Sequence, residues 1–325
     1  MIIRNFQGAN GDSYELRSAG ASLRLYRNRV FHTQVNAARL ANGGVWDLLW
    51  LPALLQRPEY CKNILVLGVG LGAAIIKLRQ FFPAAKIIAV DIDPVHLRLA
   101  KHLHTASSVE ELSSKRFWQS LDLDLPVRRE AKGKAQGEKT SRRNWRSNRI
   151  EWVQADALAW LSRQKNAAFD VIIDDLFIDS FDGQQGDPGR VIGLDQRLRG
   201  SGMRRLRQAP PWIKVLSERL SAQGLLVANC ASTRDARAGI KCWQALSKGR
   251  SKAAAMRAPS QAWVLRTRGY ENRVLVASCA NHGKQGFRRL LAQSLQERRR
   301  ELIELGYSGS TTAALGPLGA SSIAV

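Results

Sequence analysis

The sequence is poor in cysteine and histidine, with 4 cysteines and 5 histidines in 325 residues. No C-x-x-C pair occurs among the widely separated Cys61, Cys230, Cys242 and Cys279. This spacing argues against a disulfide framework and against a zinc site. His102 and His104 lie two residues apart and would face different sides of a helix. We therefore expect no metal ion.

Long hydrophobic runs are also missing. No stretch approaches the roughly 18 uninterrupted apolar residues that a membrane span needs. The most hydrophobic run, residues 45–55, contains Asp47 and Pro52. The N-terminus lacks the charged and apolar regions of a signal peptide. These observations predict a cytoplasmic protein with no membrane partner, and an apolar content of 45% is enough for a core.

Acidic residues are outnumbered by basic ones, 27 Asp and Glu against 50 Lys and Arg, which gives a net charge of +23. Such a charge attracts polyanions, so nucleic acid is one candidate partner. A surplus of solvated surface arginines explains the charge equally simply. We favour that second interpretation because no aromatic-interleaved nucleic-acid motif accompanies the charge.

The most informative segment is a glycine-rich loop after an apolar run. Residues 63–73 read NILVLGVGLGA, with Gly68, Gly70 and Gly72 at alternate positions, and a second apolar run ends in Asp91. Glycines allow a sharp turn and close approach to a ligand, and a carboxylate about 20 residues on suits a ribose diol. The pattern predicts a nucleotide-binding βαβ unit.

Periodicity along the rest of the chain predicts an α/β fold. We expect a Rossmann-like, mostly parallel sheet with helices on both faces, an antiparallel C-terminal hairpin near residues 262–278, and a small β-rich N-terminal cap. The predicted organisation is a cap at 1–60, a Rossmann-like domain at 61–305 and a flexible tail at 306–325. The cap is expected to hold a hairpin and a helix over 40–55. The Rossmann-like domain is expected to hold a basic mobile insertion at 112–148, a long loop at 178–210 and a charged helix over 287–305.

Acidic residues follow several predicted strands. Asp156 and the pair Asp174 and Asp175 end the third and fourth strands, as Asp91 ends the second. Ligands of open parallel sheets bind beyond the carboxyl ends of the strands, so these acids are expected to share one site. One such residue alone is weak evidence, because Asp is common at helix N-termini.

Two cofactor classes fit the glycine loop. The spacing Gly68-x-Gly70-x-x-Ala73 matches a relaxed dinucleotide fingerprint, which predicts a pyrophosphate at the helix N-terminus. That reading leaves the acids of the third and fourth strands without a role. S-adenosylmethionine gives them one, with Asp91 on the ribose, Asp156 on the adenine amino group and the fourth strand's acid at the reacting centre. We favour S-adenosylmethionine.

The ordered motifs VLGVGLG at 66–72, AVDIDP at 89–94, WVQADAL at 152–158 and FDVIIDD at 169–175 resemble class I adenosylmethionine-dependent transferases, in particular their spermidine synthase-like branch. The resemblance implies cofactor contacts for the three glycines and for Asp91, Ile92, Asp156 and Ala157. It also implies that Asp175, with Asp174 beside it, orients or deprotonates the acceptor.

Departures from spermidine synthases favour a different group transfer. Leu71 stands where they carry an Asp that helps to bind decarboxylated adenosylmethionine, and their His-Glu pair has no clear match, although Trp46 and Asp47 lie nearby. A net charge of +23 also suits a cationic acceptor poorly. We predict methyl transfer from S-adenosylmethionine to an undetermined acceptor, most simply a small molecule that enters between the cap and the loop after Asp175.

Three alternatives stay open. The first is an aminopropyltransferase of polyamine biosynthesis that uses decarboxylated adenosylmethionine. The second is a nucleic-acid methyltransferase that uses the basic stretches at 112–148 and 190–207. The third is a non-catalytic nucleotide-binding protein. The resemblance also makes a homodimer an expectation.

Overall fold

The computed structural model describes residues 1–8, 11–36, 39–106, 109–112, 114–121, 150–164, 167–176, 210–230, 232–248, 261–267, 270–283, 285–305 and 318–323. Most of the insertion expected at 112–148 and of the loop expected at 178–210 lies outside these ranges. Everything below concerns the described residues.

The N-terminal cap is a four-stranded antiparallel sheet within the described residues, larger than the hairpin predicted from sequence. Its strands are β1 (Ile2–Gln7), β2 (Ser13–Ala19), β3 (Ser22–Arg27) and β4 (Val30–Val35), paired in chain order. Alternate side chains, such as Leu16 and Leu25, point to one face and are fully buried. That face packs against two later helices, one of which contains Leu99 and the other Trp118.

The segment that joins the two sheets is less helical than predicted. The sequence indicated a helix over residues 40–55, but α1 covers only Asp47–Trp50 and a 3-10 turn covers Leu51–Leu55. Gly43, with φ of 78°, precedes the helix, and the Asp47 carboxylate accepts the amides of Asn42 (2.6 Å) and Gly44 (3.2 Å). These side-chain-to-backbone bonds hold a turn where helical bonds would otherwise form.

The second sheet is mostly parallel, as the apolar runs predicted. Its described strands lie in the order β12-β10-β11-β9-β8-β5-β6-β7. The strands β5 to β9 are parallel to one another, whereas β10, β11 and β12 add antiparallel pairs at one end. Their bounds are β5 Asn63–Leu67, β6 Lys86–Asp91, β7 Ile150–Gln154, β8 Phe169–Asp174, β9 Leu220–Cys230, β10 Gln261–Thr267, β11 Arg273–Ser278 and β12 Leu318–Ile323.

Helices cover both faces of this sheet, and alternate side chains of each strand enter one of two cores. Ile64 and Val66 face one core, whereas Leu65 and Leu67 face the other. The further helices among the described residues are α2 Ala73–Phe81, α3 Pro94–Leu103, α4 Val109–Leu112, α5 Lys115–Gln119, α6 Ala157–Arg163, α7 Pro210–Glu218, α8 Thr233–Lys248, α9 Phe287–Glu297 and α10 Arg299–Glu304. The layered arrangement is the α/β architecture expected from the sequence.

Three segments differ from the sequence prediction in their secondary structure. The start of the predicted mobile insertion forms α5, whose Trp118 is fully buried against the cap. The helix predicted over 287–305 divides at Arg298, whose buried guanidinium donates to the carbonyls of Gln56 (2.5 Å) and Phe81 (3.4 Å). Part of the predicted flexible tail forms β12, which pairs with β10.

Candidate functional site

The candidate site lies where the strand order of the second sheet reverses. From β5 the chain proceeds to β6 and β7 on one side, and then to β8 and β9 on the other. In the register, Leu67 pairs with both Val90 and Asp174, so the carboxyl ends of three strands lie side by side. Ligand sites of open α/β sheets form at such a reversal.

The glycine loop passes between these strand ends in a conformation that requires glycine. Gly68, Gly70 and Gly72 have φ values of 81°, 53° and 76°, in the left-handed region. A Cβ at Gly68 would overlap the backbone carbonyl of Asp175, and a Cβ at Gly70 would lie 3.2 Å from the Thr33 methyl group of the cap. The first glycine therefore lets β5 and the end of β8 approach, and the second brings the cap onto the loop.

Asp91 is a buried carboxylate that accepts a hydrogen bond from the glycine loop. It is 6% exposed, and its Oδ2 accepts the Val69 amide at 2.7 Å while its Oδ1 accepts the Asp93 amide at 2.8 Å. His96 Nδ1 lies 3.3 Å from Oδ2. Burial alone would raise the pKa of Asp91, but His96 and the two amides outweigh it and hold the pKa below its ordinary value.

His96 is a site residue that the sequence did not single out. It lies in the first turns of α3, 7% exposed, and its Nε2 is 3.6 Å from Asp93 Oδ2. Tyr14 of the cap donates a 2.5 Å hydrogen bond to the same Asp93 oxygen, and Arg27 approaches it at 3.8 Å. The only sequence signal was a histidine five residues after Asp91, one helical turn into a segment that follows the strand.

The other predicted cofactor residues lie at the ends of β6 and β7. Asp156 is the N-cap of α6 and accepts the Ala159 amide at 2.7 Å, while Ala157 is buried. Ile92 follows Asp91 and is 50% exposed, which is unusual for a large apolar side chain. The Ala155 amide donates to the Asp91 carbonyl at 3.1 Å, so the two strand ends are adjacent. This edge offers one carboxylate and an apolar surface.

The two acids at the end of β8 differ in environment. Asp174 is 2% exposed and accepts the indole N–H of Trp212, from α7, at 2.9 Å. This contact joins β8 to α7 and gives Asp174 a clear structural task. Asp175 is half-buried, and its Oδ1 accepts the Asn229 side-chain amide at 2.8 Å. The geometry thus separates a carboxylate inside the protein from one at the edge of the site.

Asn229 and Asn272 support Asp175, and the sequence did not predict either. Asn229 is the next-to-last residue of β9 and is 5% exposed, and its Oδ1 accepts the side-chain amide of Asn272 at 3.1 Å. The chain of two amides fixes one oxygen of Asp175. Because a carboxylate oxygen that accepts a hydrogen bond is held in place, Asp175 is oriented rather than free to rotate.

A small cavity lies between the cap, the glycine loop and Asp175. Trp46 forms part of its wall and stacks edge-on against Phe31 (4.9 Å between centroids) and Tyr270 (5.7 Å). The lining residues are Thr33, Trp46, Leu49, Val66, Gly68, Val69, Ala73, Ala74, Ile75, Ile173 and Asp175. The acceptor entrance was predicted between the cap and the loop after Asp175, and that loop lies outside the described residues.

Leu71 and Asp47, the two departures noted in the sequence, both lie inside the protein. Leu71 is 0% exposed and packs in the core between the cap and α3. Asp47 is 7% exposed and is bound by backbone amides. Buried Lys77 on α2 lies near Asp47, and burial lowers the pKa of this lysine to about 8. Neither departure places a charge at the cavity wall.

Comparisons with known proteins place the fold. A probable spermidine synthase from Corynebacterium glutamicum aligns with a TM-score of 0.54 and 16% identity over 98% of this chain and 90% of that chain. A spermidine synthase in complex with the transition-state analogue AdoDATO aligns with a TM-score of 0.50 and 13% identity over 97% of this chain and 88% of that chain. No protein-family model and no curated sequence matches.

The fold is Rossmann-like, as predicted, with a mostly parallel sheet covered by helices on both faces. The likeness to the two spermidine synthases is one of fold, and it spans nearly the whole chain, so that it includes the N-terminal sheet. In the described part of the chain, no helix is long and apolar enough to cross a membrane. No group of three or more His, Cys, Asp or Glu side chains there is arranged to hold a metal ion.

Proposed function

We propose that the protein is an S-adenosylmethionine-dependent transferase that moves a methyl group to a small acceptor. The observation that carries this proposal is the meeting of the glycine loop, Asp91 and Asp175 at the reversal of strand order. The cofactor would lie across the loop with its adenosine toward Asp91 and Asp156. Its sulfonium would face Asp175 and the cavity beside Trp46.

The adenosine end of the proposed site has the groups that a nucleoside needs. Asp91 Oδ1 accepts one amide, which leaves a lone pair for a ribose hydroxyl. Ile92, half-exposed at the same edge, offers an apolar surface to the adenine ring. Asp156 would accept from the exocyclic amine while it caps α6. A fold relative that holds AdoDATO supports an adenosylmethionine-type ligand over a dinucleotide.

The acceptor end suits nucleophilic displacement. Methyl transfer breaks the bond from sulfur to the methyl carbon and forms a bond from that carbon to the acceptor, and the acceptor's proton must leave. Asp175, oriented by Asn229, is the proposed proton acceptor. In-line attack gains most from positioning, which the pocket wall at Trp46 would supply.

The choice of methyl over aminopropyl transfer rests on Leu71. Its side chain is fully buried between the cap and α3, so this position offers no charge partner to a cationic aminopropyl group. The aminopropyltransferase alternative has support from the two similar structures, which are a probable spermidine synthase and a spermidine synthase. The two readings differ in the donor that the protein prefers.

Calorimetry with S-adenosylmethionine and with its decarboxylated form tests the proposal. We expect the wild-type protein to prefer S-adenosylmethionine. Asp91→Asn should weaken binding about tenfold or more, the loss of a charge-assisted hydrogen bond. Asp235→Asn is the matched control, because Asp235 pairs with Ser232 at the start of α8. Preference for the decarboxylated form would establish aminopropyl transfer, and no binding of either would refute the proposal.

A further inference from the structure

His96 is wedged between two carboxylates. Its Nδ1 lies 3.3 Å from Asp91 Oδ2, and its Nε2 lies 3.6 Å from Asp93 Oδ2. A neutral imidazole carries one N–H, so it would turn a lone pair toward one of the two acids. An imidazolium turns an N–H toward both. Nε2 makes no hydrogen bond at this distance, but a positive charge on the ring is attracted to both carboxylates, so the geometry favours the charged form.

Three strands of the cap place polar side chains near His96. The cap supplies Tyr14 from β2, with its ring edge-on at 6.0 Å, and the ring of His32 from β4 at 5.7 Å. Arg27 from β3 lies 3.8 Å from Asp93 and also binds Asp12 at 2.5 Å. Two carboxylates thus face His96, and its charge is the nearest compensation for Asp91.

His96 and the glycine loop contact the same oxygen of Asp91. Asp91 Oδ2, the oxygen that His96 contacts, also accepts the Val69 amide between Gly68 and Gly70. Without a cation beside it, Asp91 would face Asp93 across a buried space, and both burial and repulsion would favour its protonated form. A protonated Asp91 accepts hydrogen bonds poorly. The Val69 amide would then lose its partner, and so would a ribose hydroxyl.

We propose that His96, as an imidazolium, is a positioning residue that holds Asp91 ionised and oriented for the adenosine part of the cofactor. The inference rests on the proposed function, since it concerns the same site. It adds that the cap takes part in cofactor binding, because Tyr14 holds Asp93, the second anion beside His96.

The proposal predicts a direction for the effect of pH. Burial alone would lower the pKa of His96, but Asp91 and Asp93 outweigh it and raise the pKa above its ordinary value. A histidine whose pKa is raised on folding stabilises the protein below its unfolded pKa of about 6.5, and this stability is lost as pH rises through the folded pKa. Cofactor affinity should fall over the same interval.

Two measurements on the full chain test this proposal. The first is the dissociation constant for S-adenosylmethionine between pH 6 and 9.5, in wild type, His96→Gln and His102→Gln. His102 is the matched control on the same helix, where it contacts the Phe117 carbonyl instead of Asp91. The second is the free energy of unfolding of the same three proteins over the same pH range. The amine of S-adenosylmethionine also titrates in this pH range. Because it affects the dissociation constants of all three proteins equally, comparison with the control cancels its contribution.

We expect His96→Gln to weaken binding about tenfold at pH 6.5, the loss of a hydrogen bond to a charged group. The difference from the control should shrink as pH rises, in affinity and in stability together. Equal affinities for His96→Gln and the control at every pH would overturn the proposal, even if both bind. If wild type binds no S-adenosylmethionine, the proposed function fails and the role in cofactor binding fails with it. The unfolding profiles then decide only whether the ion bridge exists.

Discussion

At the residue scale, the same side-chain type does different work at neighbouring positions. Asp174 and Asp175 are adjacent in the chain, yet one accepts an indole N–H inside the protein and the other faces the cavity. The sequence predicts that acids end this strand, because the apolar run stops there. It does not predict which acid turns inward, since Trp212 and Asn229, their partners, come from elements far along the chain.

A pair of substitutions at Asp174 and Asp175 separates these roles. Asp175→Asn should lower kcat by about 10²- to 10⁴-fold, the usual contribution of a general base. It should leave the dissociation constant for S-adenosylmethionine nearly unchanged. Asp174→Asn keeps one oxygen that can accept from Trp212 but loses the other, which accepts the Leu176 amide at 3.4 Å, so it should reduce thermal stability modestly and leave kcat nearly unchanged. Single-turnover rates and melting curves of the two variants provide the measurement. The reverse pattern would move the reactive role to Asp174.

A substitution at Gly68 tests how closely the glycine loop approaches the backbone of Asp175, and a control at Gly11 separates this effect from backbone strain. Gly68 and Gly11 have nearly equal φ values, 81° and 82°, but only Gly68 has backbone atoms where a Cβ would stand. Gly11→Ala should cost about 1 kcal/mol through its left-handed conformation alone. Gly68→Ala should cost several times more and should also weaken cofactor binding. Denaturant titration of both variants measures the difference, and equal costs would show that the loop relaxes away from Asp175.

At the element scale, the sequence predicted the parallel strands themselves, because a continuous apolar run such as residues 64–67 has few alternatives once glycine follows. The errors fall where a side chain or a neighbouring strand decides the conformation. Residues 40–46 have a helical pattern, yet the Asp47 carboxylate accepts the amides of Asn42 and Gly44. Arg298 interrupts a helical pattern by binding Gln56, and residues 318–323 become a strand only because β10 has an open edge.

The tail strand β12 provides an element-scale prediction. Deletion of residues 318–325 should remove the pairing with β10 and expose that strand's edge. We expect the melting temperature to fall by about 5 °C, if a few backbone hydrogen bonds each contribute about 1 kcal/mol. An exposed edge should also promote self-association, visible by light scattering. Deletion of residues 324–325 alone is the control. Identical melting curves for both deletions would mean that β12 adds no stability.

At the scale of the whole molecule, charge is the property that the fold leaves unexplained. The net charge is +23, yet several arginines of the cap bind nearby side chains. Arg17 pairs with Glu15, Arg24 with Gln34, and Arg27 with Asp12. The overall fold and the edge of the candidate site follow from the sequence pattern, whereas the cavity beside Trp46 depends on how the cap meets the sheet, which no single segment encodes.

The charge leads to a prediction about polyanions. If the excess is a solvated surface, the protein should bind single-stranded RNA weakly and without preference for sequence. The logarithm of the association constant should fall linearly with the logarithm of the salt concentration, by about 0.7 for each phosphate neutralised. S-adenosylmethionine should not change this binding. Fluorescence anisotropy at several salt concentrations measures it. Salt-resistant, sequence-selective binding, or transfer of labelled methyl groups to the RNA, would favour the nucleic-acid methyltransferase alternative instead.

The packing of the cap has a consequence for synthesis on the ribosome. The four strands at residues 2–35 leave the ribosome before α3 and α5, the helices that cover their apolar face, and the second of these helices ends at Gln119. Until that segment has been made, Leu16, Leu25 and their neighbours have no partner to pack against. A nascent chain with an uncovered apolar sheet is a substrate for chaperones and a hazard for aggregation. The cap is thus made early and completed late.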